Sequence, residues 1–180
     1  MNLKTTAAMD KITLNRLQTL HPIWREYVID VWEKEVTKAL TGRAYCRATR
    51  VACTWEEQDG LFAQGRTRLH DAHGNRLGIV TYARGGSSWH NYGLAFDIVL
   101  IVDNKTASYK TSLDYDGDGI ADWMEVADIF KRHSFEWGGD WLKPKTDAPH
   151  FQNRFGLTIE EAKRRYLAKD FISGTNYIRI

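Results

Sequence analysis

Residues 94–102 read Leu-Ala-Phe-Asp-Ile-Val-Leu-Ile-Val, eight apolar residues of nine. A run this continuous lacks the alternation of a half-exposed strand and predicts a central strand buried on both faces. It therefore demands covering elements on each side. The 180-residue chain, 43% hydrophobic, is long enough to supply them within one domain. Asp97 interrupts the run, and a carboxylate buried there needs a cation or strong donors beside it.

The remaining elements follow from local signals. Residues 1–10 read as a disordered lead. Ile12, Leu14, Leu17 and Leu20 predict a short helix ending near His21. Pro22 suits the first position of a second helix, continued by Ile23, Trp24, Tyr27, Val28, Val31, Trp32 and Val36 at helical spacing and stopped at Gly42. Residues 44–53 read as a strand. Thr54 and Glu57 form a capping box for a helix through Phe62 that stops at Gly65. Residues 66–78 are polar and turn-rich, residues 79–82 a short strand, and residues 85–88 flexible. Residues 103–113 form a polar connection. Trp123, Val126, Ala127, Ile129 and Phe130 mark a helix ending near His133. A glycine-interrupted strand or turn spans 135–141, a strand opens at His150, and Thr158 with Glu161 caps a helix through Lys169. Phe171, Ile172, Tyr177 and Ile178 predict a docked tail.

Two stretches carry residue types that bind a divalent metal: Ser88-Trp89-His90-Asn91-Tyr92-Gly93-Leu94-Ala95-Phe96-Asp97 and Asp147-Ala148-Pro149-His150. Two His and one Asp would leave the fourth position of a tetrahedral zinc open for water. Fully extended, His90 and Asp97 stand about 23 Å apart, so the chain must turn between them, and Asn91-Tyr92-Gly93 supplies the turn. Pro149 disfavours helix at Ala148, so Asp147 would face water near the ion rather than the ion itself. On spacing alone, a His near an Asp is more often a surface or satisfied core pair than a metal site, and the spacing of His90 and Asp97 favours that plainer reading.

Ser88-x-His90-x-x-Gly93-x-Ala95-x-Asp97 resembles the SxHxxGxAxD motif of the M15 zinc peptidases, which include D-Ala-D-Ala carboxypeptidases and L-alanyl-D-glutamate endopeptidases. Phe135-x-Trp137-Gly138-Gly139-Asp140-Trp141 with Asp147-x-Pro149-His150-Phe151-Gln152 resembles the second motif of the endopeptidase branch. Glu57-Gln58 and the residues through Thr67 resemble the family's upstream helix. The resemblance implies zinc on His90, Asp97 and His150 with Asp147 as general base. It also implies a fold like the Hedgehog and DD-peptidase proteins. Ser88, Tyr92, Trp137 and Trp141 are candidate substrate contacts. Family members carry an Arg just before the Glu-Gln helix, where Cys53 stands here. Arg50, three residues upstream, falls on the opposite face of a strand unless a bulge intervenes. Arg66 and Arg84 are other candidate donors, and Cys53 a further candidate ligand.

Residues 114–125 read Asp-Tyr-Asp-Gly-Asp-Gly-Ile-Ala-Asp-Trp-Met-Glu and match the calcium-loop pattern D-x-D-x-D-G-x₅-E. Calcium would take oxygens of Asp114, Asp116, Asp118, Asp122 and Glu125 and the carbonyl of Ile120. Residues 103–113 supply no entering helix, so the loop is EF-hand-like only.

A net charge of +2 without dense basic runs argues against nucleic acid. No apolar run is long enough to span a bilayer. Cys46 and Cys53 form no CxxC pair and read as free thiols. The expectation is a single α+β domain over 1–180, monomeric. It would have a helical segment at 1–43, a small mainly antiparallel sheet carrying the zinc site, the 114–125 loop, and a C-terminal helix and tail at 157–180. The expected activity is hydrolysis of peptidoglycan stem peptides at the L-alanyl-D-glutamate bond. A D-Ala-D-Ala carboxypeptidase and a zinc-retaining wall-binding module are the alternatives. Without a signal peptide, the chain reads as made in the cytoplasm and acting on the wall after release, in the manner of a bacteriophage endolysin.

Overall fold

The structure is a computed structural model that describes residues 8–180; most of the expected N-terminal lead, residues 1–7, lies outside the described residues. The chain divides into two compact units. One comprises residues up to Val51 together with Ala95–Asn153, and the other Ala52–Leu94 with Arg154–Ile180.

The first unit holds helices α1 (Lys11–Leu17), α2 (Arg25–Val31), α3 (Thr37–Ala39) and α5 (Asp122–Arg132). It also holds the five strands found among the described residues: β1 (Ala44–Ala48), β2 (Ala95–Val102), β3 (Thr106–Ser108), β4 (Glu136–Trp137) and β5 (His150–Gln152). The sheet order is β1-β2-β5-β4, with β3 beside β2, and every pairing is antiparallel. The expected α+β architecture with a small antiparallel sheet is thus observed. β2 is the central strand: its first half pairs with β5 and its second half with β1 and β3. Every β2 residue except Asp97 is buried.

The core of this unit is aromatic. Phe96 stacks on Phe151 with ring centroids 5.6 Å apart, and Phe130 of α5 packs 5.0 Å from each. Trp24 and Trp32 close the other side of Phe96, at 6.0 and 5.9 Å. Truncation of such a ring, as in Phe96→Ala, costs about 3–5 kcal/mol. α5 supplies Trp123, Val126, Ala127 and Phe130 to the core from one face.

Several boundaries depart from the sequence expectation. Pro22 does not open the second helix, which begins at Arg25 after a turn. Between α2 and α3 the chain widens into a π-helical turn, Trp32–Val36, which buries Trp32 and Val36. The helical run ends at Ala39, before Gly42. β1 ends at Ala48, not Cys53. There Thr13 Oγ1 accepts the Ala48 amide at 3.2 Å, and Arg16 donates to the Ala48 carbonyl at 2.7 Å. β3 lies inside the stretch expected to be a polar connection.

The second unit contains α4 (Trp55–Phe62), the 3-10 turn Trp89–Tyr92, and α6 (Ile159–Leu167). Both expected capping boxes are present, Thr54 with Glu57 and Thr158 with Glu161. Trp55 stacks on Tyr166 at 4.6 Å. The tail folds back on itself through a bridge between Phe171 and the fully buried Ile178, and it docks on α6 with the Phe171 ring 5.4 Å from that of Tyr166. Residues 79–82 are not a strand, and Ile79, Val80 and Tyr82 are exposed. Among the described residues, no helix is long and apolar enough to cross a membrane.

Candidate metal centre

Asp97 and His150 are placed by the sheet. They are register partners across the β2–β5 pairing, so their side chains project from one face. His150 Nδ1 lies 3.1 Å from Asp97 Oδ1. Burial opposes the charged form of His150, but the hydrogen bond and charge of Asp97 outweigh it and lift its pKa above the ordinary histidine value. His90 is buried in the 3-10 turn Trp89–Tyr92, which Gly93 ends in the left-handed conformation (φ +67°). That is the turn expected between the two ligands. One ligand atom from each of His90, Asp97 and His150 lies within 4.8 Å of the others.

These donors fit zinc. Bonds of 2.0–2.2 Å to nitrogen and carboxylate oxygen place tetrahedral ligands roughly 3.3 Å apart, close to the His150–Asp97 separation. Three protein donors also match the open type of site. Cys53 does not join the group: its Sγ lies 3.6 Å from Gln58 Oε1 and 3.4 Å from Asn91 Nδ2.

A supporting chain of side chains was not anticipated. His150 Nε2 lies 2.9 Å from Gln152 Oε1, and Gln152 Nε2 donates to Glu136 Oε2 at 2.9 Å. With Gln152 accepting from Nε2–H, a metal ion taking the place of the Nδ1 proton would find the Nδ1 lone pair on the Asp97 side. Residues two apart on a strand share a face, so the His-Phe-Gln triplet already carried this signal.

Asp147 is exposed, on the segment leading into β5. Its amide donates to Gly138 O at 2.9 Å, and its carbonyl accepts from the His150 amide at 3.1 Å. A Cβ on Gly138 would run into that same Asp147 carbonyl, so the glycine lets this segment pack closely. Arg50 sits where the strand pairing slips. Thr49 N–H donates to Asp97 O, while Asp97 N–H donates to Arg50 O. Two residues therefore oppose one, as in a β-bulge, which is the condition under which Arg50 changes face.

The remaining candidates separate. Trp141 keeps its ring 5.2 Å from that of His150. Ser88 is half-buried before the His90 turn, its amide 3.4 Å from Asn91 Oδ1. Tyr92 is packed away from solvent: it is 2% exposed and its hydroxyl donates to Gly86 O at 2.8 Å. Trp137 is also packed away, stacked on Phe151 with Nε1 donating to Ala148 O at 2.7 Å. Arg66 spends its guanidinium on the Phe62 and Thr81 carbonyls, and Arg84 lies over the Phe62 ring.

In the acidic loop, Asp114 accepts from the Gly117 and Gly119 amides, at 2.6 and 2.9 Å. Burial first, then the charges of Asp118, Asp116, Asp122 and Asp114, push the Glu125 carboxyl up to about 7.

Residues 81–153 match the M15 family model described as D-alanyl-D-alanine carboxypeptidase, so the resemblance carried by the motifs is borne out over that span. Among curated proteins, the chain is similar to the peptidoglycan L-alanyl-D-glutamate endopeptidase CwlK of Bacillus subtilis (strain 168). It is 50% identical over 101 residues, 55% of this chain and 54% of that protein. The match thus spans about half the length of this curated relative. Among solved structures, the fold is similar to the crystal structure of Serratia marcescens L-Ala D-Glu endopeptidase ChiX. The TM-score is 0.55 at 17% identity, covering 90% of this chain and 98% of that one.

Proposed function

We propose that this protein is a zinc peptidase that hydrolyses peptidoglycan stem peptides at the L-alanyl-D-glutamate bond. The observation that carries the reading is the convergence of His90, Asp97 and His150 donor atoms within 4.8 Å. The likeness to CwlK supports the choice of bond.

His90, Asp97 and His150 would hold the ion. Zinc bound there supplies Lewis acidity that polarises the scissile carbonyl and brings the pKa of water to about 7. Asp147 is the general base. Its exposed carboxylate accepts the proton of the attacking water and returns it to the leaving amine. Arg50, turned at the bulge, is the candidate donor to the developing oxyanion. Ser88 and Trp141 contact the peptide. The acidic loop has no part in this chemistry.

Defined muropeptides test the bond. Cleavage after L-Ala, read by mass spectrometry, is the expected product. Release of free D-Ala would assign the carboxypeptidase activity named by the matched family model. Binding to wall without any product would leave a zinc-retaining module.

A further inference from the structure

The carboxylates of residues 114–125 connect β3 to α5 and are separate from the His90–Asp97–His150 cluster. Their ligand atoms form two groups, Asp114/Asp116/Asp122 and Asp116/Asp118/Glu125, each within 4.8 Å and sharing Asp116. Acidic side chains in a surface turn normally face water and need no ion. Asp122 is different. It is 0% exposed; its Oδ1 accepts the Tyr115 amide at 2.7 Å, but its Oδ2 is buried without a hydrogen-bond partner. Asp116 repeats the pattern. Its Oδ2 accepts from the Thr41 amide and hydroxyl at 3.2 and 3.0 Å, and its Oδ1 is buried and unpartnered. Glu125 Oε2 is a third such oxygen. Buried polar atoms are almost always satisfied, and a desolvated carboxylate oxygen without a donor is among the costliest exceptions. Three of them in one acidic cluster mark the place of a cation.

We propose that residues 114–125 bind one calcium ion through Asp114, Asp116, Asp118, Asp122, Glu125 and the Ile120 carbonyl. The donors are all oxygen, which suits a hard cation rather than zinc. Five carboxylates in two groups joined at Asp116 suit an ion that takes six to eight oxygens rather than four. Gly119, sixth in the loop, has φ +93°, and the calcium-loop pattern requires a sharp turn there. Helix α5 starts at Asp122, so Glu125 stands in its first turn as the twelfth ligand. In place of an entering helix, the loop hangs from β3 and is held at Asp116 by Thr41. Calcium here braces the start of α5 against the corner that leads into β1. The proposal is independent of the zinc reading.

The test compares the full-length protein in resin-treated buffer at constant zinc, with and without added CaCl2. Calorimetric titration is expected to give one calcium per chain, and the melting temperature is expected to rise with CaCl2. Glu125→Gln and Asp116→Asn, each removing one charge from the cluster, lose both responses. These variants melt no lower than wild type in calcium-free buffer, because each relieves repulsion. Absence of binding heat, with equal melting temperatures in both buffers, overturns the proposal. So does calcium binding that survives unchanged in both variants.

Discussion

His150 on β5 faces Asp97 on β2 in direct register, with Nδ1 and Oδ1 3.1 Å apart. The pair places a nitrogen and a carboxylate donor on the backbone ladder itself, so the sheet sets their spacing. Asp97→Asn keeps the shape and removes the charge. Zinc content by elemental analysis is expected to fall from about one per chain toward none, with the far-ultraviolet dichroism unchanged. An Asp97→Asn variant that retains full zinc would remove Asp97 from the ligand set.

Asp147 and Arg50 lie outside the ligand cluster, so their variants are expected to keep the metal. If they act as proposed, Asp147→Asn is expected to lower kcat by about 10²–10⁴ and Arg50→Ala by about 10²–10³, both with zinc stoichiometry intact. Loss of zinc in either variant would assign a structural role instead.

Gln152 positions His150, and Glu136 positions Gln152. Partners of this kind affect metal affinity by about 10–100-fold. Gln152→Ala is therefore expected to weaken zinc binding by about that factor in a chelator competition, and Gln152→Asn to recover little, since its reach is shorter. Unchanged affinity in Gln152→Ala would dismiss the chain.

What was legible in the sequence was local. The capping residues Thr54 and Thr158 act within one turn, and both helices start where expected. The apolar run around Phe96 announced β2, and the periodicity of Trp123, Val126 and Phe130 announced α5. What was not legible depends on partners far along the chain. β3 is polar and exists because Ser108 pairs with Leu100. Residues 79–82 have strand-forming side chains and no strand to pair with. The slip at Thr49 and Arg50 arises where Asp97 bonds to both, which no spacing rule reports. Tyr92 and Trp137 stand in the two motifs and so read as candidate contacts. Their hydroxyl and indole N–H groups instead satisfy backbone carbonyls in packed positions.

Burial, with a smaller contribution from Asp10, pushes the Cys46 thiol well above the ordinary cysteine range. The reactive thiolate is therefore scarce at neutral pH. Iodoacetamide at pH 8 is expected to leave Cys46 unmodified in the native protein and to label it once guanidinium unfolds the chain, as read by peptide mass spectrometry. Equal labelling in both states would contradict its burial on β1.

On the proposed function, a zinc ion on His90, Asp97 and His150 drives cleavage of the stem peptide. This is tested most directly by digesting purified peptidoglycan with zinc-loaded, chelator-stripped and zinc-restored protein and sequencing the released termini. New D-Glu amino termini following L-Ala are expected with the loaded protein, as are their loss on stripping and their return with zinc. Cleavage that persists undiminished after zinc removal, or a zinc-loaded protein that releases no new termini, would contradict it.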